Sequence, residues 1–402
     1  MLANGHAGNR TRWLLAIGLC LILLLPSGMS ATLVPTDYST DVKPVNFYSA
    51  NGSDVNQEHP EWGQAGTLLG RVANSSHDPN ANWMGLADLP NPRNISNIVC
   101  AQPSAILDER GLSDFNWLWG QFITHEIDFT LTQNGRVGGT AAPEQANIQI
   151  AEDDPVMGAP GGSQLRFFRS LYVNMTDEQG VQTREHPNSI TTWIDGSSVY
   201  GSSVETSNWL RTFEDGKLKV SPNPWGDLLP VAQDDDQTAP PMSFVGFSAD
   251  VRFIAGDSRA NEHIALMALH VLFIREHNRL AEDIAERNPN WSDEDIFQLA
   301  RKLVAAQIQA ITYEEFLPSL GVTLTPYSGY NSAINPEVTS SFATVAFRMG
   351  HSQTGDVFLR LDESREPIEN GVMDLFDGFW TTRPVTEEGG IAPILRGVAA
   401  QT

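Results

Sequence analysis

Gln121 and His125 stand four residues apart in the stretch from Trp117 to Thr130. On a helix that spacing puts both side chains on one face. Glu126 and Asp128 follow at once and add two carboxylates beside the histidine. Trp117, Leu118, Trp119, Phe122 and Ile123 surround this polar cluster with bulky apolar groups. An imidazole enclosed in that way is what a dry pocket with one titratable base requires. It is also the composition of a buried helix carrying one hydrogen-bonded histidine, and the stretch alone does not separate the two.

Four other groups of residues are weighed for chemistry. Thr191, Trp193, Asp195 and Ser197 alternate in a loop that ends at Gly201. If the loop is extended, the Thr191, Asp195 and Ser197 oxygens lie on one side, with the Trp193 carbonyl between them. Hard oxygens with one carboxylate suit calcium, although Ser/Thr/Gly loops without a metal share this composition. Arg259 opens a long apolar-periodic run, where it is either a solvated first-turn residue or, if buried, a group that needs a partner. His351 closes the apolar stretch Phe342–Gly350 and reads as core or as ligand. His263, His270 and His277 recur at seven-residue steps, so neighbours lie roughly 10 Å apart along a helix, too far to share one ion. They read as separate helix histidines.

The elements that must position these residues are mostly helical. One helix is predicted from about Ser113 to Ile127, with Ser113 as N-cap. A long core helix, with apolar positions Ile264, Leu266, Leu269, Val271, Leu272 and Ile274, runs from the Ala255–Glu262 segment to about Glu286. Ser292 with Asp295 forms a capping box for a third, over about 293–316. Residues 32–100, rich in Pro, Gly, Asn and Asp, read as an irregular arm. Residues 131–190 and 202–250 read as loop, with a minor strand near Asn147–Ile150, and residues 326–336 as loop. The expected class is mainly α, with long loops and little β.

Composition sets limits. The chain has 402 residues and a formal net charge of −24 without a long acidic block. That argues against nucleic acid and anionic membrane surfaces as partners. Arg10 and Arg12 precede an apolar run, Trp13–Leu25, closed by Pro26 and small residues. This is the pattern of a secretory signal peptide over 1–30, and no other stretch could span a membrane. Cys20 falls in that segment and leaves Cys100 alone, so the mature chain has no internal disulfide.

Taken together, four segments resemble the animal-type haem peroxidases, the peroxidase–cyclooxygenase superfamily. Gly120–Phe129 resembles the distal-histidine segment, with Thr124 and Glu126 where the family usually has aspartates. Thr191–Gly201 resembles the calcium loop. Gly256–Glu262, followed by His270 and Arg275–Leu280, resembles the catalytic-arginine helix. Phe342–His351 resembles the proximal segment, and Ile391–Gly397 also matches. The resemblance covers about residues 40–400. The family pattern continues further, with an Asn that orients the proximal histidine and an Arg-Asp-His-Gly segment. Neither lies in these residues, so 101–402 is expected to be an incomplete haem peroxidase-like domain with a weakened site.

The resemblance implies haem b and calcium as cofactors. It implies His351 as iron ligand, Arg348 near a haem propionate, and His125, Arg259 and Gln121 as the catalytic set. It implies calcium held by Thr191, Trp193, Asp195, Ser197 and Glu126. Of the family's covalent haem links, only that through Glu262 keeps its carboxyl, because Thr124 and His263 lack the required groups. The implied function is a secreted peroxidase that uses hydrogen peroxide to oxidise a halide or small organic donor. A haem-poor adhesive or structural relative is the alternative of another class. A fatty-acid dioxygenase of the same superfamily is disfavoured, since Arg348 rather than Tyr stands three before His351. A zinc hydrolase fails because Phe129 occupies the second position of a His-Glu-x-x-His motif.

Overall fold

A computed structural model describes residues 47–73, 89–102, 104–132, 144–176, 180, 182–233, 235–243 and 252–402. The expected signal peptide lies outside the described residues, as does part of the expected N-terminal arm. In chain order the helices are α1 (Pro92–Val99), α2 (Phe115–Ile127), α3 (Ser197–Tyr200), α4 (Val204–Leu210), α5 (Ile264–Arg287), α6 (Asp293–Ala310), α7 (Leu317–Ser319), α8 (Ser340–Thr344), α9 (Arg383–Thr386) and α10 (Ile391–Ala400). Strands β1 (Ile148–Ile150) to β2 (Ser163–Leu165), β3 (Val173–Thr176) to β4 (Gln182–Glu185), and β5 (Val357–Leu361) to β6 (Pro367–Asp374) form three antiparallel pairs. The architecture is mainly helical, with only short sheets.

The core is built on α5. Its residues from Ile264 to Ile274 are nearly all sealed from solvent, including His270. A helix apolar on every side must be covered on every side. Here α2, α6 and α10 supply the cover through Trp119 and Phe122, Phe297 and Ile308, and Ile394 and Val398. Phe122 stacks on Phe273 with ring centroids 5.2 Å apart. The backbone of α10 passes β5 closely enough that a Cβ at Gly397 would overlap Leu359 O, so only glycine fits there.

Ser292 and Asp295 form the expected reciprocal capping box at the start of α6. That helix changes to π geometry over Ile311–Phe316. Elsewhere the sequence reading needs correction. The segment read as an irregular arm contains α1, capped by the Asn91 side chain on the Arg93 and Asn94 amides. The 202–250 segment contains α4, capped by Ser203 on Thr206 N. The β5–β6 hairpin was not anticipated. The long core helix begins at Ile264 rather than at Arg259.

Candidate active site

Three segments supply the polar lining of a cavity of about 510 Å³, lined among others by Gln121, Thr124, His125, Arg259, Glu262, Arg348 and His351. This lies within the size range of small-molecule and cofactor sites. Residues far apart in the chain are thus brought to one space: α2, the turn before α5, and the segment after α8.

One wall comes from α2. The helix stops at Ile127 because Asn188, fully buried, clamps the exit. Its Oδ1 accepts from Phe129 N at 2.8 Å and its Nδ2 donates to Ile127 O at 2.9 Å. Just before this stop, His125 is buried. Its Nδ1 faces Asp257 Oδ1 at 3.6 Å without a hydrogen bond, and its Nε2 faces Glu262 Oε2 at 3.9 Å. Burial, then the nearby Arg259 charge, pushes this imidazole well below its ordinary value. At neutral pH it is therefore neutral and able to accept a proton. Thr124 also lines the cavity, and its hydroxyl donates back to Gly120 O at 2.8 Å.

Arg259 is mostly buried and paired. Its Nε donates to Asp257 Oδ1 at 2.9 Å and its Nη2 to Asp257 Oδ2 at 2.7 Å. Nη1 reaches Asp128 O at 3.2 Å and Nη2 also reaches His125 O at 3.3 Å. These four bonds leave one of the five guanidinium donors over. Burial alone would raise the Asp257 carboxyl, but Arg259 and His125 outweigh it and hold the acid at about 2. The turn carrying this pair lies directly on α3: a Cβ at Gly256 would fall 2.4 Å from Gly201 N. Asp257 is a residue the sequence reading missed. Its motif was visible, but its partner lay two residues on along a non-helical turn.

Gln121 does not hang free over the cavity. Its Nε2 donates to Glu262 Oε2 at 3.1 Å, and its Oε1 meets His263 Nε2 at 2.8 Å. His263 caps α5, with Nδ1 accepting from Leu266 N. His277 is likewise hydrogen-bonded, between Tyr200 Oη at 2.8 Å and Gly216 O at 2.9 Å, while His270 sets its ring edge-on to Phe122. Among the described residues no three His, Cys, Asp or Glu side chains gather as a metal site. His263 thus precedes the helix as its cap, and His270 and His277 lie on it with different neighbours.

The opposite wall is thinner. His351 and Arg348 lie on a 3-10 turn, Ala346–Ser352, not at the end of a continuous apolar helix. The Thr344 hydroxyl donates back to Ser340 O at 2.6 Å, and Val345 leaves helical geometry, the competition expected of hydroxyl-rich helix ends. His351 is exposed except where it faces the cavity. Arg348 approaches Asp128 at 3.7 Å with its side chain 43% exposed.

The Thr191–Ser197 loop lies behind His125 and its neighbour Glu126. Asp195 is buried, with Oδ1 accepting from Ser197 N at 3.1 Å and Oδ2 without a hydrogen-bond partner. Ser197 Oγ lies 3.0 Å from Glu126 O. The Glu126 carboxylate, expected as a calcium ligand, instead accepts from the amides of Gly196, Ser197 and Ser198 and from the Ser198 hydroxyl. One methylene longer than aspartate, it reaches past the loop interior to the start of α3. Thr191 Oγ1 accepts from Trp193 N at 3.0 Å.

A mainly helical domain with a neutral, arginine-flanked imidazole on one side of an apolar-walled cavity and an exposed imidazole on the other has the architecture of haem-dependent peroxidases. The animal haem peroxidase family model matches residues 47–402, and the chain belongs to that family. It is 33% identical over 392 residues to the peroxidasin homolog of Homo sapiens, covering 88% of this chain and 26% of that protein. It is 34% identical over 388 residues to lactoperoxidase of Homo sapiens, covering 88% and 54%. Among solved structures it superposes on peroxidase A from Dictyostelium discoideum with a TM-score of 0.78 at 29% identity, covering 88% of this chain and 68% of that one. The chain thus spans about a quarter of the first relative and about half of the second.

Membership implies haem as the prosthetic group. The cavity fits it. Phe316, Phe347, Phe358 and Phe379 supply apolar walls, His351 an imidazole, and His125 a buried ring nitrogen without a hydrogen-bond partner.

Proposed function

We propose that this chain is a secreted haem peroxidase that reduces hydrogen peroxide to water with electrons from a small organic donor or a halide. The observation that carries the proposal is the meeting of His125, Arg259 and His351 on one cavity, with His125 neutral. His351 would hold haem iron, and Arg348 would face a propionate. When bound, haem supplies the exchange of electrons with peroxide and donor. The rest is done by the chain. His125 accepts a proton from peroxide and returns it to the departing oxygen, so that with two electrons and two protons two waters form. Its two ring nitrogens face carboxylates, Asp257 and Glu262, which stabilise the imidazolium while it holds the proton. Arg259, fixed by Asp257, keeps a positive charge beside the forming anion. Phe316, Phe347, Phe358 and Phe379 make the walls apolar.

Covalent attachment, where it occurs, runs through Glu262 alone. The Thr124 hydroxyl is turned back to its own helix, and His263 offers no thioether. Secretion rests on the charged-then-apolar pattern of residues 1–30. Among the described residues no helix is long and apolar enough to cross a membrane.

A calcium ion belongs to the same proposal, in modified form. The unpartnered Asp195 Oδ2, with Ser197 Oγ and Glu126 O nearby, is a hard-oxygen set that suits calcium. Thr191 and the Trp193 carbonyl complete it, and Glu126 joins through its carbonyl rather than its carboxylate.

Rapid mixing of the haem-loaded protein with peroxide tests the chemistry. His125→Ala should keep haem and slow the reaction by about 10²–10⁴-fold, the usual range for a lost general acid–base group. Unchanged rates would refute the role of His125.

A further inference from the structure

The direction of every bond around Gln121 can be derived from one backbone amide. Leu266 N is a donor and nothing else, and it points at His263 Nδ1 at 3.2 Å. That ring nitrogen must therefore be unprotonated, which leaves the proton of a neutral His263 on Nε2. Burial, pushing His263 down to about 3, keeps the ring neutral over the whole working range of pH. Its Nε2–H therefore donates to Gln121, and the atom it meets must be Oε1, at 2.8 Å. The other end of the same amide, Nε2, is then committed to donate to Glu262 Oε2 at 3.1 Å. That oxygen in turn faces His125 Nε2 at 3.9 Å.

Without the His263 bond, the Gln121 amide has two orientations of similar shape. With Nε2 toward Glu262 it donates and favours the ionised carboxylate. With Oε1 toward Glu262 it accepts and favours the protonated acid. The other groups acting on Glu262 are Arg259 and Arg348, which favour ionisation, and Asp257 and burial, which oppose it. Their balance leaves the carboxyl raised, so the amide orientation has weight.

We propose that His263 is a positioning residue of this cavity. By hydrogen-bonding Gln121 it fixes which end of that amide faces Glu262, and so holds Glu262 as a carboxylate acceptor beside His125. Gln121 is thereby a bridge within the wall rather than a free hand for a ligand. The value of this arrangement to catalysis rests on the peroxidase reading above, but the arrangement itself exists in the haem-free chain and is tested there.

Infrared difference spectra of the haem-free protein, taken across pH, show the carboxylic C=O band of Glu262 as the one that vanishes in Glu262→Gln. His263→Met should move its titration midpoint up by about one pH unit, the size of one hydrogen bond to a charged group. Gln121→Met should do the same, and the double variant should move it no further than either alone. A midpoint unchanged in His263→Met, or shifts that add in the double variant, would overturn the proposal. Nitrogen-15 NMR of the unaltered protein gives a reading that needs no variant. His263 should be in its Nε2–H form from pH 5 to 8, and an Nδ1–H form would also overturn the proposal. Because no haem is added, these outcomes do not depend on whether the chain binds it.

Discussion

His125 and His351 face the same cavity but are held in opposite ways. His125 sits on a buried helix whose exit is clamped by Asn188, between two carboxylates and beside an arginine that is itself tied at four points. His351 sits on an exposed 3-10 turn with Arg348, in a segment whose one buried residue in α8 is Ala343. The wall proposed to hold a proton at a defined atom is over-determined. The wall that would hold the iron is built from a short, hydroxyl-rich segment with little buried surface. A site of this kind should respond very differently to damage on its two sides.

The largest difference should come from the Asp257–Arg259 pair. Asp257→Ala leaves a mostly buried guanidinium without its carboxylate, which typically costs about 3–5 kcal/mol. Urea unfolding of the variant checks this, and a loss below 1 kcal/mol would mean that the distal wall does not depend on the pair. Calcium removal comes next. The Asp195 loop meets the distal helix at Glu126, so a chelator should lower the melting temperature. The loss would be about 2.7 kcal/mol if the ion was present at a hundred times its dissociation constant. An unchanged melting curve with no calcium by elemental analysis would remove the ion from the account.

Acid should destabilise the helix α5 side through His277. Burial holds His277 down at about 4. An unfolded histidine titrates near 6.5, so between the two values the unfolded chain binds the extra proton. The stability due to a neutral His277 is complete above about 6.5 and is lost as pH falls towards 4, at about 1.4 kcal/mol per pH unit. Unfolding free energies of the unaltered protein minus those of His277→Gln should show that slope. A pH-independent difference would contradict it. Arg348→Ala should have the smallest effect, under about 1 kcal/mol, because its contact with Asp128 is long and its side chain 43% exposed. A loss comparable to that of Asp257→Ala would erase the contrast between the walls.

Much of this was legible in the sequence where the signal is local. Helices α2, α5 and α6 follow from apolar periodicity, and the Ser292–Asp295 box fixed the start of α6. Gln121, His125, Arg259, Glu262, Arg348 and His351 were singled out from short motifs, and the fold brings all six to one cavity. What escaped were contacts between segments. Asn188 reads as an ordinary loop residue until it clamps the end of α2, 61 positions away from the Ile127 carbonyl it binds. Glu126 reads as a longer aspartate, and only the placement of α3 shows its carboxylate engaged by that element's amides. The β5–β6 hairpin has a buried arginine, Arg360, in its middle, paired with Glu388 and the Asn370 carbonyl. Such a residue defeats an apolar-alternation reading.

His351 is proposed to bind haem on this cavity, and a haem titration checks that assignment. Haem added to the haem-free protein at neutral pH should give the Soret band of a histidine-bound haem, saturating at one per chain. His125→Ala should bind in the same way, and His351→Ala should lose the band. If His351→Ala takes up haem as the unaltered protein does, with the same spectrum, His351 is not the ligand and the two-walled account of the site is wrong.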